Sequence, residues 1–109
     1  MVGAVNEKEC RRIVIERSEG YCERCGNGSM AVTMDHRKPR SQLGKWEPAN
    51  ISALCGHGTI GCHSWKEHNP RDAAELGFRV WSYQDPREVP VFRRGVWVVL
   101  DNEGGFTLA

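Results

Sequence analysis

Two cysteines and two histidines crowd the ten-residue stretch LCGHGTIGCH, from Leu54 to His63, and a Cys22-Glu-Arg-Cys25 pair lies upstream. Thiolates and imidazoles are the usual protein ligands of zinc. The CxxC spacing of Cys22 and Cys25 lets both sulfurs of one turn point at one ion. Cys55 and Cys62 have six residues between them, wider than a compact knuckle, and Gly56, Gly58 and Gly61 lie in the gap. Glycine takes the positive φ that a long chelate loop needs to fold back. The pattern predicts a structural Zn2+ on Cys22, Cys25, Cys55 and Cys62, a closed set of soft sulfurs. His57 competes for one cysteine's place. His63 is a weaker competitor, because it follows Cys62 directly and adjacent residues seldom point at one ion. A disulfide framework is the remaining alternative, and no secretory signal is visible to support it. Cys10, the fifth cysteine, has no ligand-spaced neighbour and reads as a small core hydrophobe.

A second set of residues interleaves with the cysteines. In chain order it reads Asp35-His36, then Asn50, then His63. With Cys22-Glu-Arg-Cys25, Met34-Asp35-His36, the run from Ala49 to Cys55, and Cys62-His63-Ser-Trp-Lys66, this order resembles the HNH endonuclease family, built on the ββα-metal (His-Me finger) fold. The likeness spans roughly Tyr21 to His68. The tail, with His68-Asn69-Pro70 and Gly-Val-Trp-Val-Val-Leu, is similar to small HNH proteins of bacteriophages, especially those of actinobacterial hosts. One departure stands out: Arg37-Lys38-Pro39 follows the Asp-His pair where many relatives have a small hydrophobe.

The resemblance implies a metal-dependent endonuclease acting on double-stranded DNA. Asp35 and His63 would hold a catalytic divalent metal. A hard oxygen with a borderline nitrogen suits Mg2+, Mn2+, Ni2+ or Zn2+. His36 would be the general base, since imidazole titrates near neutrality. Asn50 would brace the loop between the strands and so aim His36. Arg37, Lys38, Arg40 and Lys66 are candidate phosphate contacts, and His68 a candidate extra ligand. The phage likeness further implies work in the cytoplasm of a bacterial host, with the terminase large subunit or portal as partner in DNA packaging. The competing expectation is a non-catalytic zinc-ribbon-like module that binds nucleic acid or protein. Such a module has no use for the ordered set Asp35, Asn50 and His63.

These side chains need elements to position them. The chain of 109 residues suits a single domain, with a core at about 21–68 and a C-terminal extension over 69–109. At 39% hydrophobic residues the core is modest, so a metal staple is expected. The net charge of +1 excludes no partner, although arginine and lysine crowd the first half. No apolar run reaches membrane-spanning length, and no membrane contact is expected. The expected class is α+β. Met1–Val5 reads as a loose tail. Helical spacing runs over Glu7–Ser18, with Asn6 as N-cap and Gly20 as stop. Met30–His36 and Ile51–Leu54 read as strands of an antiparallel hairpin, joined by the polar loop Arg37–Pro48. A helix is expected from Cys62 to His68, and another from the Asn69-Pro70 start to Gly77. Phe78–Tyr83, Val96–Leu100 and Phe106–Leu108 read as strands, with Asp101–Gly105 a turn. Asp35 and His36, as strand neighbours, should point to opposite sides. His63 falls in the first turn of its helix, where the N-terminal field favours a phosphate. Trp65 and the strand tryptophans read as core rather than as base-stacking platforms.

Overall fold

In the computed structural model, which describes residues 6–109, the first helix starts where its cap requires. The Asn6 side chain accepts a hydrogen bond from the Glu9 amide at 2.8 Å, and α1 runs over Glu7–Ser18. Glu19 and Gly20 end it with φ of 57° and 79°. The expected tail, Met1–Val5, lies outside the described residues. Cys10 and Val14 are fully buried, and they pack with Ile51 and Ala53 of a strand beneath. Cys10 therefore serves as a core hydrophobe, and burial raises its thiol to about 11.

That strand is β2, Ile51–Cys55, paired antiparallel with β1, Val32–His36. The register sets Asp35 opposite Ser52 and His36 opposite Ile51. β2 is buried along its whole length because α1 and the next helix both pack on it. The loop expected over Arg37–Pro48 contains short 3-10 turns at Arg40–Gln42 and Pro48–Asn50. α2 spans Gly61–His68, and α3 spans Pro70–Glu75. Asn69 does not cap α3 with its side chain. Its amide instead donates to the Trp65 carbonyl at 2.9 Å, closing the end of α2.

The C-terminal part corrects one expectation. Phe78–Tyr83 forms bends and a turn, not a strand. Phe78 and Val80 are buried, which produces the alternation seen in the sequence. Their amides, however, go to the end of α3 and to loop backbone: Phe78 N to Ala73 O at 2.8 Å, Val80 N to Arg37 O at 2.8 Å. The strand before the last two is β3, Val91–Arg93. A two-residue turn, Arg94-Gly95, with φ of 49° and 83°, joins it to β4, Val96–Leu100. β5, Phe106–Leu108, completes the sheet in the order β3-β4-β5. Leu54, Cys22, Cys55, Cys62, Phe78, Val91, Val98 and Leu100 share one core, so this sheet is built onto the cysteine-bearing half. Among the described residues no helix is long and apolar enough to cross a membrane.

Two buried arginine networks join the halves. Glu23 receives Arg17 at 2.7 and 2.8 Å, Arg93 at 2.8 Å, and the Ala53 amide at 3.0 Å. Burial works against its charge, yet Arg17, Arg93 and the Ala53 amide together hold its carboxyl below the ordinary range. Arg37 is the second hub, and it is not a DNA contact. It is 0% exposed, and its guanidinium donates to the carbonyls of Gly77, Ala49, Pro86 and Val89 at 2.7 to 3.0 Å. Burial lowers its pKa to about 9, which leaves it charged at neutral pH. Replacing it by methionine keeps the bulk and strands those carbonyls. Arg37→Met should therefore lower unfolding stability by about 3–5 kcal/mol, read by denaturant titration of parent and variant side by side. A loss below about 1 kcal/mol would mean the network is dispensable.

Candidate active site

The CxxC turn and the ends of β2 and α2 bring four sulfurs together. The Sγ atoms of Cys22, Cys25, Cys55 and Cys62 all lie within 4.8 Å of one another. Cys25 and Cys55 are 3.8 Å apart, and a tetrahedral site with Zn–S bonds of about 2.3 Å has edges of about 3.8 Å. Amides point at the sulfurs: Arg24 and Cys25 at Cys22 (3.4 and 3.5 Å), Asn27 at Cys25 (3.4 Å), Cys62 at Cys55 (3.4 Å). The Arg24 guanidinium reaches Cys62 Sγ at 3.3 Å and stacks 3.6 Å over the Trp65 ring. Such donors suit thiolates, whose charge a single divalent ion only half neutralises. Burial opposes charge on Cys22, but the donors around it bring its thiol down to about 7.

The wide spacing of the second pair is absorbed by a pinched loop. Gly56 and Gly61 have φ of 82° and 77°, and a Cβ on either would strike backbone, Ile60 O at 2.1 Å or Cys55 O at 2.4 Å. Gly58 has no positive φ, contrary to expectation. His57 rides on the loop's outside, its Nδ1 taking bonds from the Thr59 amide and hydroxyl, and it is not part of the cysteine cluster.

On the other side of the Cys62–His63 peptide bond, a polar site forms between β1 and α2. His63 Nε2 lies 3.7 Å from Asp35 Oδ1 and 3.3 Å from Glu67 Oε1. Its other nitrogen, Nδ1, is 2.6 Å from the Thr33 hydroxyl, and that hydroxyl is 2.9 Å from the Gly56 carbonyl. A carbonyl only accepts, so Thr33 gives its proton there and receives the Nδ1 proton of His63. Nδ1 is thus occupied, and Nε2 is the nitrogen turned toward the two carboxylates, an arrangement that a cation between them would satisfy. Asp35 Oδ2 is held by the Lys66 ammonium, which also donates to the His36 carbonyl at 2.6 Å. Burial raises the Asp35 carboxyl and lowers the Lys66 ammonium, outweighing their mutual attraction. Lys66, at 8% exposure, is committed to this pair and does not offer itself to DNA.

His36 sits on the same strand end, with its ring at 4.5 Å from that of Trp46 in an edge-on arrangement. Nε2 is buried without a partner, which leaves Nδ1 as the nitrogen that water can reach. Burial, then Arg40, Lys66 and Arg11, hold its proton affinity below the ordinary histidine value. Asn50 grips Lys38, two residues after His36, from both sides. Its Oδ1 accepts from the Lys38 amide at 2.8 Å, and its Nδ2 donates to the Lys38 and Lys45 carbonyls at 3.1 Å. Lys38 is half-buried and Arg40 exposed on the loop that leaves His36. His68 is exposed and bonds back to Ser64 O at 2.8 Å. Trp65 packs edge-on against Phe78, as core.

Sequence reasoning passed over Thr33 and Glu67. Both had a positional signal: Thr33 shares a strand face with Asp35, two residues on, and Glu67 lies one helical turn after His63.

Residues 20–69 match a protein-family model described as HNH endonuclease. Neither a curated protein nor a solved structure matches the chain. The matched segment contains both the cysteine cluster and the Asp35–His63 site, so the part of the chain that carries both is similar to the HNH endonucleases.

Proposed function

We propose that this protein hydrolyses phosphodiester bonds of double-stranded DNA with the help of a divalent ion held by Asp35 and His63. One observation carries the reading: His63 Nε2 stands 3.7 Å from Asp35 Oδ1, beside the strand end that bears His36. The donor set, a carboxylate oxygen and an imidazole nitrogen, fits a divalent ion with positions left for water and phosphate. When bound, that ion would neutralise charge on the phosphate and on the departing sugar oxygen.

The chain's own residues supply the rest. His36 is neutral at working pH and takes a proton from the attacking water through Nδ1. Thr33 fixes the tautomer and ring plane of His63. Lys66 holds one oxygen of Asp35 and leaves the other directed at His63. Asn50 ties both ends of the loop that follows His36 and keeps that strand end in place. Lys38 and Arg40, on this loop, are placed to meet phosphates that flank the cut. The cysteine cluster, loaded with zinc, is structural.

A supercoiled plasmid tests the reading. Zinc-loaded protein should convert it to the relaxed circle when Mg2+, Mn2+ or Ni2+ is added, and not without added metal. One site cuts one strand, so nicked circles should precede linear DNA. Retarded but uncut plasmid with every metal would favour the zinc-ribbon-like binding module instead.

A further inference from the structure

We infer that Glu67 is a third ligand to the divalent ion held by Asp35 and His63, an inference that rests on the function proposed above. Three observations point to it. First, Glu67 Oε1 lies 3.3 Å from His63 Nε2, closer than Asp35 Oδ1 at 3.7 Å. Neighbouring ligands of an ion with bonds near 2.1 Å stand about 3.0 Å apart in octahedral geometry and about 3.4 Å in tetrahedral. Both carboxylates therefore sit at near-ligand spacing from the same nitrogen, the one that the Thr33 bond does not engage.

Second, helix stability does not explain Glu67. It lies in the last turn of α2, where the helix dipole disfavours negative charge. Among the described residues no lysine or arginine pairs with it, and its one ionic neighbour is the His63 ring. A cation at the site would relieve both conditions. Third, the chain leaves room for it. Gly58, in the loop between the second pair of cysteines, has no side chain where a Cβ would come within 3.3 Å of Glu67 Oε2. The loop that closes the zinc site thus lies against the carboxylate of the other site.

The consequence is a site with two carboxylates, Asp35 and Glu67, against one ammonium, Lys66 at Asp35, an excess of one negative charge before metal binds. A glutamate in that position favours hard ions such as Mg2+ and Mn2+ over softer ones.

Mn2+ binding to the zinc-loaded protein without DNA tests this apart from activity. Free Mn2+ is followed by its electron paramagnetic resonance signal, and waters on bound Mn2+ are counted by proton electron–nuclear double resonance. Glu67 is half exposed on a helix, so Glu67→Ala should fold and keep its zinc. The expected result is an affinity reduced roughly tenfold or more, with one more water on the bound ion. Asp35→Asn should weaken binding at least as much. Parental affinity and water count in Glu67→Ala, with binding lost in Asp35→Asn, would overturn Glu67 as a ligand and leave the Asp35–His63 site standing. Weaker binding without the extra water would also overturn it, because the carboxylate would then act only through its charge. Parental binding in both variants would remove the site and the inference together.

Discussion

Replacing His36 by alanine should leave a folded, zinc-loaded protein that cuts plasmid DNA slower by about two to four orders of magnitude, the usual contribution of a positioned general base. The lost group is specific. His36 is the imidazole whose Nδ1 stays open to water while its neighbour Asp35 faces Lys66 and His63. Burial and the nearby Arg40, Lys66 and Arg11 keep it unprotonated at neutral pH. Protonation disables a base, and this histidine's proton affinity is lowered. The acid limb of the parent's rate profile should therefore lie below pH 6.5, with activity level through neutrality. The residual activity of His36→Ala should lack that limb. Alanine also leaves a void beside Trp46, so His36→Gln provides a bulkier control. Zinc content and circular dichroism of both variants should match the parent. Cleavage by a folded His36→Ala within a few-fold of the parent rate would assign the base elsewhere.

The sequence and the structure agree most closely where spacing is local. Asp35 and His36 are adjacent on one strand, and Cys62 and His63 are adjacent on one helix, so their placement follows from backbone periodicity alone. The cysteine pairs converge because β1 and β2 form the hairpin that alternation predicts. The brace by Asn50 was expected of the loop, and the structure locates it on both sides of Lys38. Long-range burial was not legible. Arg37 stands in a run of basic loop residues and looks solvated, but its acceptors on Gly77, Pro86 and Val89 come from a segment at least 40 residues away. Lys66 reads as an exposed helix lysine until β1 is laid beside α2. The Phe78–Tyr83 segment alternates because one side faces the core, and no neighbouring strand is there to make a ladder. β3 escaped notice because it has three residues, and the Arg94-Gly95 turn that defines it resembles an ordinary charged loop.

A sharper separation is expected across the Cys62–His63 bond, where two metal sites abut. Cys25→Ala tests the first site without disturbing the core, since Cys25 is exposed and its truncation leaves no cavity. Only the ion's grip is lost. A structural zinc in a small domain contributes on the order of 10 kcal/mol to folding, more than the whole stability of many such domains. Cys25→Ala should lose zinc and unfold, and the unfolding should reach the C-terminal sheet. Cys22, Cys55 and Cys62 share their core with Val91, Val98 and Leu100, so the sheet has no separate support. Tryptophan fluorescence, with Trp97 on β4 as a reporter, should change together with zinc release. His63→Ala should do the opposite. Its ring is bonded to Thr33 and faces Asp35, outside the sulfur cluster. Zinc and fold should survive while cleavage and Mn2+ binding fail. If Cys25→Ala kept full zinc and a parental melting curve, the cluster would not be the staple. If His63→Ala shed zinc as well, the two sites would be one coupled centre, and the division at that peptide bond would be wrong.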